Sequence, residues 1–286
     1  MVIFPLKSVE NSKFADMKIR IAISVLSLVS ALSLSVSCGR TDYVSITGYA
    51  QGGSYLVKLN MRGVSAKPES LKHGIDSILN VIDRSVSGYN KSSLLSEFNA
   101  GGTILPDEVF VDLYGRCRRI WEETDGAVDV AAAPLFDIWG FGFTTDSLPS
   151  ADEVAGVREN CGMGRLAGDI SSVIAEDGTL SPQSLLADGK GVLPRLNFNA
   201  VAQGYSVDLI GSYLHAAGVQ DMLVNVGGEI YADGVNPSGK AWTLAIDRPE
   251  DGNNTPGAEI EAVFHSDGGP CGIVTSGNYR KFCVRD

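Results

Sequence analysis

The sequence has no long basic tract: 23 Lys and Arg stand against 34 Asp and Glu, a formal net charge of -11. Nucleic-acid binding normally needs a basic face, so that class is set aside, and acidity otherwise bears on solubility. Internal repeats, heptads and low-complexity tracts are missing too, which excludes solenoids and coiled coils. Cysteine is sparse, five in all, and Cys117, Cys161, Cys271 and Cys283 fit no zinc-ligand spacing. A disulfide is open to them in an oxidising compartment, but a domain of this size does not need one, and they read mainly as small buried hydrophobes. The one long apolar run, Ile21 to Val36, is short for a membrane-spanning helix.

What is present begins with an export signal. Met17-Lys-Ile-Arg20 is a short basic region, the apolar run follows, and Ser35-Val-Ser-Cys38 closes it with small residues before a cysteine. This resembles a bacterial lipoprotein processing site, with a mature chain that begins at lipidated Cys38 and sits anchored on the periplasmic side of a membrane. Ser35 stands where such sites usually carry Leu, and a plain secretory signal with an incidental cysteine is the alternative. Residues 1–16 do not read as the front of a signal, which points to Met17 as the start. The remaining 39–286, at 44% hydrophobic content for the whole chain, suffices for one large domain or two intimate ones.

Two strands with a Gly-Gly interruption are expected first, Val44 to Ala50 and Tyr55 to Leu59, as a hairpin or a bulged strand. Helices follow over Pro68 to Ser85 and Asp107 to Thr124, each with apolar residues on one face, separated by a Ser87-Gly-Tyr-Asn90 turn and a helical turn from Ser92 to Phe98. Leu135 to Gly142 is a dense aromatic run. It reads better as core than as a wall beside a flat ligand ring. A short helix is expected over Ala151 to Asn160, and antiparallel ribbons over 165–193. Strands are expected at Met222 to Val226, Glu229 to Ala232, Ala241 to Ile246, Ile260 to Phe264 and Tyr279 to Val284. Arg285-Asp286 reads as the start of a turn with no return strand after it. The expectation is that the natural protein continues and that the domain is incomplete at its C-terminus.

The chain is organised around Arg195 to Asp208. A strand-like piece, Leu196 to Ala200, is expected to break at Gly204-Tyr205 into a helix with Val207, Leu209, Ile210, Tyr213 and Leu214 at helical spacing. Such a junction places backbone N–H groups where an anionic ligand can sit. Asn197, Asn199 and Gln203 are its polar groups, and by themselves they read equally as helix caps.

In order, Gly48 to Tyr55, Ser87-Gly-Tyr89, Glu97-Phe-Asn99, Thr124 to Asp129, Pro134-Leu135, Trp139 to Gly142, Leu196 to Asp208, Leu223 to Gly228, Trp242, Ile246, Pro249 and Thr275 to Tyr279 resemble the ApbE family of flavin transferases. The match runs through nearly all of the mature chain. The resemblance implies an α+β fold, a mostly antiparallel sheet core with flanking helices. It implies an enzyme that splits FAD with Mg2+, moves FMN to a Ser or Thr hydroxyl of an exported or membrane redox protein, and releases AMP. By the same resemblance the backbone oxygen of Ala200 helps hold the magnesium, and Asn197 and Gln203 contact FAD. Ala127, Val128 and Asp129 line its adenosine end, Tyr89 is an aromatic contact, and Gln51 stands where the family has a Met beside the flavin.

Read from the residues alone, Asp129 is a turn cap or a ligand group, Tyr89 a turn aromatic or a ligand wall, and Gln203 a helix-start polar residue or a contact. Gly227-Gly228 reads as a packing pair rather than a phosphate cradle. The chain departs from the family pattern at Asn197 for Asp, Gln203 for Lys or Glu, and Ala131 for Thr. The family's His-containing segment and its Asp-rich C-terminal motif are not in the sequence, so severely weakened activity is expected of the chain as written. The alternatives are a non-catalytic FAD-binding lipoprotein and a magnesium-dependent FAD pyrophosphatase.

Overall fold

Alternating apolar residues and a turn that demands positive φ build the first hairpin. β1 (Tyr43–Ala50) and β2 (Gly53–Asn60) pair antiparallel with Ala50 opposite Gly53, and Gln51 and Gly52 close the turn at φ 52° and 78°. Two consecutive positive φ values are what a twisted two-residue hairpin turn requires. The computed structural model describes residues 42–140, 148–250 and 257–276. The export run, Cys38, the end of the aromatic run at 141–142 and the expected strand Tyr279 to Val284 lie outside them.

The sheet continues through β3 (Met222–Val226), β4 (Glu229–Asp233) and β7 (Cys271–Ile273) in the order β1-β2-β3-β4-β7, antiparallel throughout. A separate antiparallel ribbon joins β5 (Thr243–Asp247) to β6 (Ile260–His265). Two long helices pack against the five-stranded sheet. α1 (Pro68–Val86) starts on a proline in its first turn and buries Leu71, Ile75, Leu79, Ile82 and Val86 along one face. Between it and the last helix come α2 (Leu94–Asn99), α3 (Glu108–Glu123), α4 (Ala133–Ile138), α5 (Ala151–Arg158) and α6 (Pro182–Leu185). α7 (Ala202–Ala216) buries Tyr205, Val207, Ile210 and Leu214. The helix starts are chemically marked: Ser93 and Asp107 accept backbone N–H bonds as caps, and Ser150 with Glu153 forms a capping box. The expected α+β architecture is the one found.

Two apolar cores meet at α1 and α7. In the first, Tyr55, Val57 and Leu59 of β2 and Met222, Val224 and Val226 of β3 pack against Leu71, Ile75, Leu79, Val207, Ile210 and Leu214. In the second, Ile82 and Val86 at the far end of α1 and Tyr205 at the near end of α7 join Phe98, Phe110, Leu113, Tyr114, Met163 and Phe198. Each of the two helices therefore begins in one core and ends in the other.

Three sequence-based expectations change. Leu196 to Ala200 is not a strand, because Asn99 takes the place of a neighbouring strand. Its side chain accepts from Leu196 N and donates to Leu196 O, both at 2.8 Å, while Asn197 N donates to Val130 O. α7 also starts at Ala202, so Gly204 lies inside its first turn. Residues 165–193 carry two isolated antiparallel bridges, Ile104 to Leu180 and Leu166 to Leu186, rather than ribbons. The caps Asp169 and Ser181 turn the chain there into short helical pieces instead. The described part of the aromatic run is not core: Phe136 is 40% exposed, and none of the residues from 135 to 140 is buried. α4 is too short to present a full apolar face, and its Asp137 is turned to Arg195 at 2.6 Å.

Of the described cysteines, Cys117 is buried, Cys161 and Cys271 are partly buried, and all three are free thiols. Burial pushes the Cys117 thiol up to about 12, which makes it an inert packing residue.

Candidate functional site

A cavity of about 520 Å³ opens where the two cores meet. Its walls are the hairpin turn Gln51-Gly52, Ile82, Asp83 and Val86 of α1, Ser87 and Tyr89 of the following turn, and Asn199, Ala202 and Gln203 at the start of α7. Each wall has a local reason to be where it is. Asp83 closes the 87–90 turn, since its backbone O accepts from Ser87 N and its carboxylate accepts from Asn90 Nδ2 at 2.7 Å. Tyr89 is thereby presented 69% exposed at the cavity wall. Phe198 O accepts from both Val201 N and Ala202 N at 2.9 Å, which fixes the first turn of α7. Gln51 Nε2 donates to Ser206 Oγ at 2.6 Å and ties the hairpin turn to that helix.

The β3–β4 turn approaches from the same side. A Cβ on Gly227, which has φ +64°, would lie 2.1 Å from Gln203 Nε2. The bare glycine at 227 thus lets Gln203 lie over the turn, while Gly228 has open space around it. A second cavity of about 350 Å³ shares Asn199 with the first and adds Lys91, Asn99, Asp137, Arg195 and Asn197. Lys91 and Arg195, the latter paired with Asp137 at 2.6 Å, are the cationic groups of the adjoining cavity, and Asp83 is the carboxylate of the first.

The expected site residues divide accordingly. Gln51, Tyr89 and Gln203 line the larger cavity, and Asn197 lines the adjoining one with its Oδ1 accepting from Asn199 N at 2.9 Å. Ala127, Val128 and Asp129 line neither. Asp129 caps the turn at Val130–Ala132: its oxygens accept from Ala131 N at 2.8 Å, Trp121 Nε1 at 3.1 Å and Met163 N at 3.0 and 3.1 Å. Cys38 lies outside the described residues. Asp83 and Ser206 also hold the site together without standing out in the sequence, and Asn99, quoted there only as the end of the Glu97-Phe-Asn99 match, holds Leu196. Their signal was weak, because an isolated Asn, Asp or Ser near a turn has many local uses.

Ala200 lines a different cavity, of about 410 Å³, with Arg116, Arg119, Tyr205 and Asp208. Among the described residues no group of three or more His, Cys, Asp or Glu could hold a metal ion. A hard divalent cation needs about six oxygen ligands, and one backbone carbonyl does not meet that need. A magnesium site therefore does not close on these residues. A flat ligand fits the main cavity better, since Gln51, Ile82, Val86 and Tyr89 give it amide, apolar and aromatic lining.

Oε2 of Glu229, at the start of β4, is buried with no hydrogen-bond partner among the described residues, and burial raises its carboxyl above the usual range. Such a group costs nothing while protonated in both states. As pH rises past an ordinary glutamate pKa, the unfolded chain ionises first and the folded state loses stability. Glu229→Gln is expected to raise the melting temperature at pH 7 and to change it little at pH 4, read by thermal unfolding at the two pH values.

A FAD:protein FMN transferase of Haemophilus influenzae is 29% identical over 265 residues, covering 90% of this chain and 72% of the relative. The apo crystal structure of Pseudomonas stutzeri flavinyl transferase ApbE matches with a TM-score of 0.61 and 31% identity, over 71% of this chain and 63% of that one. The flavin transferase ApbE of Vibrio cholerae matches with a TM-score of 0.65 and 28% identity, over 85% of this chain and 74% of that one. This chain thus spans less than two thirds of the length of the Pseudomonas protein. The model of the ApbE family matches residues 44–286, well over half of the sequence, and the chain belongs to the ApbE family.

Proposed function

We propose that the cavity between the hairpin turn, Tyr89 and the start of α7 binds FAD, and that the protein moves FMN from it to a Ser or Thr hydroxyl of an exported acceptor protein. The observation that carries this reading is the convergence of Gln51, Tyr89 and Gln203, residues far apart in sequence, on one cavity of about 520 Å³. That volume lies within the usual range for small-molecule sites, roughly 300–1,000 Å³. Ile82, Val86 and the exposed Tyr89 ring offer apolar contact to a flat heterocycle. The N-terminal N–H groups of α7, with Lys91 and Arg195 in the adjoining cavity, suit a diphosphate.

In the transfer, the acceptor hydroxyl oxygen forms the new P–O bond to the FMN phosphate. The anhydride P–O bond breaks, AMP leaves with the electron pair, and the hydroxyl proton passes to solvent. What this chain's described residues contribute is binding and alignment of the diphosphate, the main requirement of phosphoryl transfer. Magnesium dependence belongs to the same reading, and comparing turnover with Mg2+ and with a chelator tests it.

The test is to incubate the protein with FAD, Mg2+ and an acceptor protein bearing a candidate Ser or Thr. Transfer yields an acceptor heavier by one FMN and stoichiometric AMP. Free FMN with an unmodified acceptor would support the pyrophosphatase instead, and FAD binding without any cleavage the non-catalytic flavin lipoprotein. The same assay measures the turnover of this chain. Tyr89→Ala is expected to weaken FAD binding roughly threefold to tenfold, the worth of one aromatic contact, with the melting temperature unchanged.

Attachment to a membrane through lipidated Cys38, on the periplasmic side, completes the proposal. Cys38→Ser would then move the protein from the membrane to the soluble fraction after expression in a bacterial host.

A further inference from the structure

Trp121 stands in the last turn of α3, and its indole N–H donates to Asp129 Oδ2 at 3.1 Å. The ring is fixed from two sides. The Arg118 guanidinium lies 4.6 Å from its centre and is itself tied down, donating to Met163 O at 2.9 Å. On the other side the chain turns back at Gly126, whose N donates to Trp121 O at 2.8 Å. Gly126 has φ +82°, and a Cβ there would lie 3.2 Å from the indole nitrogen.

The Asp129 carboxylate is fully engaged. Oδ1 accepts from Ala131 N and Met163 N, and Oδ2 accepts from Met163 N and Trp121 Nε1, which uses its roughly four lone-pair sites. Every donor is a backbone or indole N–H, so its hydrogen has one possible place. What the carboxylate fixes is the turn Val130–Ala132, and two walls of the cavity of about 350 Å³ hang from that turn. α4 begins directly after it and supplies Ala133 and Asp137. Val130 O accepts from Asn197 N at 2.8 Å and so holds the facing wall of Leu196 and Asn197. Trp121 and Asp129 line neither this cavity nor the larger one.

We propose that Trp121 is a positioning residue for the adenylate half of the dinucleotide. Through Asp129 it sets the spacing between the α4 wall and the Asn197 wall, and neither residue touches the ligand. The inference rests on the reading of the two cavities as the FAD site, with the flavin ring beside Tyr89 in the larger and the adenylate half in the smaller.

The experiment measures affinity by calorimetry for FAD, and for FMN by competition against FAD, in the wild type, Trp121→Phe, Asp129→Asn and the double variant, with folding checked by thermal unfolding. Trp121→Phe keeps an aromatic ring and removes one donor. It is expected to weaken FAD binding about twofold to tenfold, the worth of one hydrogen bond. Asp129→Asn sets an NH2 group among N–H donors and is expected to weaken it further. In the double variant one opposing donor is gone, so FAD is expected to bind no more weakly than to Asp129→Asn alone. FMN, which lacks the adenylate half, is expected to keep its affinity within about twofold in all three variants. Unchanged FAD affinity in Trp121→Phe would overturn the proposal, whatever happens to its melting temperature. Two losses that multiply would overturn it too, since a direct contact from Asp129 to the ligand behaves that way. So would an equal loss for FMN, the mark of a general loosening of the fold. Absence of FAD binding by the wild type would instead remove the functional reading beneath it, so the two failures are distinguishable.

Discussion

Replacing Phe198 with alanine is expected to cost about 3–5 kcal/mol of stability and to abolish FAD binding in whatever fraction stays folded. The ring is fully buried and packs edge-on against Phe110, at 5.9 Å between centroids and 83° between planes. Phe110 in turn contacts Phe98, so the three rings form one apolar block under the site. Phe198 also lies between Asn197 and Asn199, and its carbonyl holds the first N–H groups of α7. Removing the ring leaves a void beneath the segment that positions both amides. Denaturant unfolding should show a lower midpoint with an unchanged slope, and calorimetry should show no FAD heat. Phe198→Leu, which keeps most of the apolar volume, is expected to recover most of the stability.

The second large effect is expected at Gly48, where alanine should destabilise the fold by about 1–3 kcal/mol or more. Gly48 stands opposite Tyr55 in the hairpin, and a Cβ there would come within 2.4–2.6 Å of three atoms of that ring. The ring has nowhere to go. It is 2% exposed, and its hydroxyl donates to Asp76 while Lys72 Nζ donates to it at 3.0 Å. Relief must come from moving β1, and the turn that carries Gln51 moves with it. A fall in melting temperature together with weaker FAD binding is the expected pair of results. A fall in neither would show that the hairpin can yield without disturbing the cavity.

Much of this was legible in the sequence because it is local. Leu71, Ile75, Leu79 and Ile82 at helical spacing mark α1, and the cap residues Ser93, Asp107 and Ser150 mark where helices start. Met222 to Val226 reads as an apolar run broken only at Asn225 because the sheet is covered on both faces there, with Val224 in one core and Leu223 in another. The losses share a different property: the partner lies far away in sequence. Leu196 to Ala200 has strand composition, yet a single Asn side chain 97 residues earlier satisfies Leu196. Asp129 carries its meaning through Trp121 and Met163, the latter 34 residues on. Gly74 and Gly211 look like weak points of two helices. In space they admit the rings of Tyr213 and Tyr231, whose atoms would lie within 2.2 and 2.7 Å of an added Cβ. The candidate site was only partly legible for the same reason. Gln51 and Tyr89 came from the family pattern, Asn199 and Gln203 also from the polar residues at the start of α7, and their meeting place came from the packing of α1 against α7.

The most direct test of the account is a calorimetric titration of FAD into the wild-type protein and into Gly227→Val. The bulk of valine at Gly227 would drive the Gln203 side chain out of its place over the turn. The account predicts saturable binding at a single site for the wild type and at least tenfold weaker binding for the variant, with both proteins folded. No saturable binding by the wild type, or equal binding by the two, would contradict the assignment of this cavity as the FAD site.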